Sequence, residues 1–236
     1  MKLALSAFAL VMAAGAAHAD TVTQWNFNSV TADTSTSTGS LAPSIGAGTL
    51  MGLNGVTLAF GSGAANGGSS DPVTTDDSGL QTTGYAAQGT GNKLSGVQFN
   101  VSTLGYDSVV VSYDLRHSNT SSRYELFQYS LDGMSFVDFA TFDGNAGDTW
   151  FNGRTVDLSS IAGAGNNSDF AFRVVATYAP GMTSYAASSS SYAGTGTWRF
   201  DMVTVSAAPV PEAETYAMML AGLGLVGFMA ARRRKA

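Results

Sequence analysis

Through most of its length this chain places apolar residues at every second position, and a period of two rather than 3.6 commits it to strands. Trp25 and Phe27 share one face of residues 22–27, and Val97, Phe99 and Val101 share one side of residues 94–101. Val109, Val111, Tyr113 and Leu115 point one way within residues 107–116. Phe170, Phe172, Val174 and Ala176 do so within 170–178, and Trp198, Phe200 and Met202 within 197–205. Segments 56–60, 124–131, 136–142 and 154–158 alternate more weakly, and Asp132-Gly133 between two of them is a preferred hairpin turn pair. Nowhere in this stretch does an apolar stripe recur at helical spacing. Roughly nine or ten short strands without crossover helices predict antiparallel pairing in an all-β sandwich or barrel. Residues 31–48, 61–92 and 179–196 read as long loops, rich in Gly, Ser and Thr, of the kind that carry binding.

The two ends differ from this body. Lys2 precedes an apolar run from Leu3 to Ala16, and Ala17-His18-Ala19 puts small residues where a signal peptidase reads them. Residues 1–19 are therefore expected to be a signal peptide, with cleavage leaving Asp20 first. At the other end Pro209-Val210-Pro211-Glu212 is a stiff hinge, residues 216–231 are apolar throughout, and Arg232, Arg233, Arg234 and Lys235 close the run. As a helix those 16 residues reach about 24 Å at ~1.5 Å per residue, short of the ~30 Å hydrocarbon core. Snorkelling arginines and Tyr216 at the interface would cover the difference, giving a single transmembrane helix with its basic end in the cytoplasm.

Between the ends lies a body of about 190 residues, residues 20–208, large enough for one core. It contains no cysteine, which excludes thiol catalysis, Cys-type metal sites and disulfides, so burial and hydrogen bonding must hold it. Six cations stand against fifteen anions there, a balance that argues against nucleic acid and anionic lipid as partners of the folded body.

The tail carries a resemblance to a known family. Pro-Glu, a short spacer, a Gly-rich apolar helix and an Arg-rich end make residues 210–235 resemble the PEP-CTERM sorting domain of Gram-negative bacteria, with Ala213 where the name motif has its second proline. The resemblance implies an exported protein, held transiently in the inner membrane and then sorted to the cell surface or extracellular matrix by an exosortase. It makes Val210, Pro211 and Glu212 the recognition and cleavage motif, with the basic cluster as the stop signal. The body, with Trp25-Asn26-Phe27 on its first strand, the YSLDGMSFVDF hairpin and TWRFDMVTV at its end, is loosely similar to bacterial jelly-roll and carbohydrate-binding modules. That similarity implies an antiparallel jelly-roll-like β-sandwich and no cofactor beyond a structural calcium.

Chemistry-bearing residues are few. His117 is the one histidine of the body, beside Ser118-Asn119-Thr120 and without a Gly-x-Ser-x-Gly elbow, so it reads as a surface-loop residue. Glu125, Asp132, Asp138, Asp143 and Asp157 are available for glycosidase chemistry, but nothing in their spacing pairs any two, and Glu125 reads as exposed on its strand. Asp143, Asn145 and Asp148 crowd oxygen atoms into one Gly-rich turn and are the first candidate calcium ligands, with Asp76-Asp77 in another loop. Solvated Asp-Gly turn chemistry explains the same residues without metal. Of three tryptophans, Trp25 and Trp198 belong to core-facing positions, which leaves Trp150 as the candidate for sugar stacking. The expectation is a non-enzymatic protein that binds extracellular polysaccharide or serves in the matrix. A carbohydrate-active hydrolase and a protein-binding adhesin are the alternatives.

Overall fold

The computed structural model describes residues 19–73, 75–210 and 213–233, with tail side chains from Leu220. The signal-peptide positions through His18, together with Pro211, Glu212, Arg234 and Lys235, lie outside the described residues. Eleven strands form two antiparallel sheets, the sandwich that the alternation predicts. The six-stranded sheet runs β3 (Thr57–Ser62), β4 (Ser78–Thr83), β11 (Trp198–Pro209), β6 (Tyr106–His117), β9 (Thr149–Asp157). Its sixth member, β1 (Asp20–Trp25), also pairs with β11, beyond the point where β4 leaves it. The five-stranded sheet runs β2 (Thr49–Leu53), β5 (Gly96–Asn100), β10 (Ala171–Thr177), β7 (Tyr124–Ser130), β8 (Val137–Asp143).

Inward residues of both sheets meet in one aromatic core. Trp25 meets Phe99 edge-on at 5.2 Å, Phe99 stacks on Phe172 at 4.9 Å, and Phe172 stacks on Phe127 at 5.4 Å. Trp25, Trp198, Leu115 and Phe172 are all fully buried, as their alternation predicts. Burial of this kind is the main term available to a domain without disulfides, at about 1.5–3 kcal/mol per large side chain.

Three sequence expectations need correction. Residues 61–92 are not one loop, since β4 crosses them, and β2 directly follows the 31–48 stretch. Glu125 is buried inside the sandwich rather than exposed, with Arg154 Nε 2.9 Å from its Oε1. His117 is buried too: β6 runs one residue further than the alternation marks, and the ring packs edge-on against Trp198 at 5.4 Å. Its Nδ1 lies 2.8 Å from the Ser122 carbonyl oxygen.

The chain closes with helix α1 (Ala213–Arg233), which ends on Arg232 and Arg233, cations that suit the negative end of the helix dipole. Among the described residues, no helix is long and apolar enough to cross a membrane. The expected transmembrane span at 216–231 falls within α1 and is therefore not supported. Leu220, Leu225, Val226, Phe228 and Met229 on that helix are exposed.

Candidate functional site

The outward faces of the two sheets are unlike. On the six-stranded sheet, loops cover outward residues that would otherwise be wet. Asp114 and Asp201 stand directly opposite on β6 and β11, both fully buried. Trp150 on β9 is also held down, donating its indole N–H to the Ala65 carbonyl at 2.8 Å in the short 3-10 turn Ala65–Gly67. Only 8 % exposed, it presents no platform for a sugar ring, contrary to the sequence expectation.

On the five-stranded sheet, polar side chains cross the outward face from strand to strand, and Gln98, Leu126, Gln128 and Val175 on it are buried. Asn100 donates to Thr49 Oγ1 at 3.1 Å, Gln98 donates to Asn100 Oδ1 at 2.7 Å, and Arg173 Nε donates to Gln98 Oε1 at 2.8 Å. The Arg173 guanidinium sits 3.4 Å from the centroid of the Phe136 ring. Further along, Gln128 donates to Asp138 Oδ1 at 2.7 Å and Lys93 pairs with Asp138 Oδ2. Beside this pair opens a cavity of about 420 Å³, with Leu126, Phe139, Thr141, Tyr178 and Met182 in its wall. Leu126 is buried, whereas Phe139 is 41 % exposed. The Gln128 side-chain oxygen is buried in this face without a hydrogen-bond partner. An apolar wall flanked by convergent amide, carboxylate and ammonium groups can hydrogen-bond a polyol while covering its less polar faces.

The carboxylates singled out from sequence do not converge on that cavity, Asp138 excepted. Asp132 makes the turn between β7 and β8, accepting the backbone N–H groups of Ser135 at 2.6 Å and Met134 at 2.9 Å. Those bonds and the Ser130 hydroxyl hold its carboxyl well below the usual range. Asp157 caps the turn after β9 by accepting Ser159 N–H at 2.8 Å. Asp143 takes both arms of Arg123, at 2.6 and 2.7 Å, and Asp148 pairs with Arg116 and accepts from Asn119. Asn145 is exposed between them. The turn expected to hold calcium thus aims its two carboxylates at two different arginines.

A different acidic cluster comes together on the covered face of the six-stranded sheet. One carboxylate oxygen each from Asp71, Asp77 and Asp201 lie within 4.8 Å of one another. Asp201 is turned here by a β-bulge between Asp201 and Thr204, where Met202 takes a positive φ of 45°. The loop from Gly63 to Asp77 brings the other two. Gly63 N–H donates to the Asp77 carbonyl at 2.8 Å, and Ser69 Oγ donates to Asp201 Oδ2 at 2.8 Å. Only glycine fits at 63, because a Cβ there would stand 1.9 Å from Asp77 Oδ1 and 2.7 Å from Asp201 Oδ2. Burial first, and then the neighbouring Asp charges, push Asp77 and Asp201 above the usual carboxylate range. The sequence alone points to Asp77 but to neither Asp71 nor Asp201. Asp201 reads along the strand as an ordinary outward residue, and only the register of β11 on β6 reveals two carboxylates side by side.

At the tail, Val210 is exposed and its N–H donates to the Gly105 carbonyl at 2.8 Å, extending the pairing of β11 with β6 up to the sorting residues. Ala19 is exposed, and Asp20 begins β1.

Among curated proteins, none matches this chain. Solved structures give distant neighbours. The CBM22-1 xylan-binding domain of Paenibacillus barcinonensis Xyn10C is 13 % identical at a TM-score of 0.46, over 83 % of this chain and 99 % of that one. The CBM22-1-CBM22-2 tandem domain of the same protein is 12 % identical at 0.47, over 86 % and 53 %. The K1 cleaved adhesin domain of Lys-gingipain from Porphyromonas gingivalis is 13 % identical at 0.40, over 68 % and 90 %. At TM-scores under 0.5 these neighbours carry no argument about what this chain binds. The specific match lies at the C-terminus: residues 209–235 fit the PEP-CTERM protein-sorting motif, and the chain ends in that signal.

Proposed function

We propose that this is an exported, non-catalytic glycan-binding β-sandwich, sorted by an exosortase to the cell surface or extracellular matrix. In this reading residues 1–19 are a signal peptide, 20–208 the binding domain and 209–236 the sorting tail. Helix α1 serves as the transient inner-membrane hold, with Arg232 to Lys235 as its cytoplasmic stop. The observation that carries glycan binding is the cavity of about 420 Å³ on the outward side of the five-stranded sheet, beside its line of hydrogen-bonding side chains. The body's excess of anions favours a neutral polysaccharide. Of the carboxylates weighed for hydrolysis, Asp138 alone lines the cavity, whereas glycoside hydrolysis ordinarily uses two that flank the scissile bond.

Full-length protein in mild detergent, tested on a panel of neutral and acidic polysaccharides, should retain a neutral glycan without releasing reducing ends. Phe139→Ala should weaken retention about tenfold while leaving circular dichroism and thermal midpoint unchanged. Sustained sugar release abolished by Asp138→Asn would replace this reading with a hydrolase. For the tail, mass spectrometry of envelope material should find a chain that has lost residues 216–236. Replacing Pro211-Glu212 by Ala-Ala should leave the protein in the inner membrane.

A further inference from the structure

We propose that Asp71, Asp77 and Asp201 form a divalent-cation site suited to calcium, which fastens the Gly63–Asp77 loop to β11. The site lies on the six-stranded sheet, away from the proposed glycan cavity, and does not rest on the glycan-binding reading. Three carboxylates bring an oxygen each within 4.8 Å of the others, an arrangement that like charges oppose unless something positive stands between them. No lysine, arginine or histidine of the described residues makes an ion pair with any of the three. Arg199, the nearby cation, is spent elsewhere, donating to the Ser62 carbonyl at 2.6 Å and to Gln81 Oε1 at 2.5 Å.

The second observation is a single atom. Asp77 is 3 % exposed, and its Oδ1 is buried without a hydrogen-bond partner, facing the same space beside Gly63 as Asp201 Oδ2. A buried carboxylate oxygen without a donor costs free energy, and a cation ligand is what this position lacks. Asp114, by contrast, is satisfied by backbone: Ser70 N–H reaches its Oδ2 at 2.5 Å and Gly153 N–H its Oδ1 at 2.7 Å. It stands on β6 opposite Asp201 without being a ligand.

The donor set selects the ion. All candidate ligands are oxygens, and the chain offers no thiolate, which points to a hard cation rather than zinc or copper. Carboxylates drawn from a loop and a bulged strand suit the irregular, adaptable shell of calcium better than the near-octahedral shell of magnesium. The competing account is a proton shared between Asp77 and Asp201, which would satisfy Asp77 without metal.

The two accounts separate experimentally. Full-length protein stripped with a chelator and dialysed should bind about one calcium per chain by calorimetry. At a hundredfold excess over Kd its thermal midpoint should rise by about 5–10 °C, and magnesium should give a smaller rise. Asp201→Asn and Asp71→Asn should each weaken calcium at least tenfold, and both should still fold in chelator with a wild-type circular dichroism spectrum. Asp71 is half-buried, so its variant remains informative if Asp201→Asn fails to fold. The proposal fails if calcium leaves the wild-type midpoint unmoved. It fails equally if Asp71→Asn binds calcium as tightly as wild type.

Discussion

Truncating Arg154 to Ala would leave the Glu125 carboxyl buried inside the sandwich without the guanidinium whose Nε stands 2.9 Å from it, and with His117 Nε2 at 3.8 Å as its remaining neighbour. The loss should be about 3–5 kcal/mol, measured as a shift of the urea unfolding midpoint at constant slope. Replacing both residues with apolar ones of similar volume should recover most of it. Asp132 is a gentler case with a pH signature. Its folded carboxyl is held below its unfolded value by the Ser135 and Met134 N–H groups and the Ser130 hydroxyl, so the folded state binds fewer protons. Its contribution is therefore fully present above the unfolded value of ~3.9 and is lost as pH falls through the lower folded value. Asp132→Asn should be less stable than wild type at pH 7, and the two denaturation midpoints should converge in strong acid.

Among the elements, β5 leaves no room for a side chain at its first residue. A Cβ on Gly96 would lie 2.1 Å from the Val174 carbonyl oxygen of the paired strand β10, so Gly96→Ala must push two backbones apart. A cost of about 1–3 kcal/mol, or failure to accumulate folded protein, is the expected outcome. Strands rich in alternating apolar residues, such as β6 and β10, are legible because each places several side chains in the core. β4 is not: SGLQTT offers one large apolar residue, Leu80, and its identity as a strand comes from pairing with β3 and β11. The sites follow the same division. The sorting tail is contiguous and legible in the sequence, whereas the acidic corner joins residues 71, 77 and 201 through register. Nor does the sequence show that Trp150 would be roofed by the turn at Ala65–Gly67, because that contact spans 85 residues.

At the scale of the molecule, a domain with no cysteine should unfold cooperatively and identically with or without reductant, with a β-dominated circular dichroism spectrum. A chain truncated before Trp198 should fail to give that spectrum, because β11 borders β1, β4 and β6. This central strand is also the last of the body. Gln24 of β1 and Thr204 of β11 join side chains at 2.9 Å across 180 residues, so the sheet closes only when both ends of the body are present. Such long-range closure makes folding slow and late. A chain threading outward from its N-terminus would reach the far side with β1 waiting for its partner until almost the whole body had crossed. The placement of β11 thus defers closure of the six-stranded sheet until nearly the whole body is available to pair.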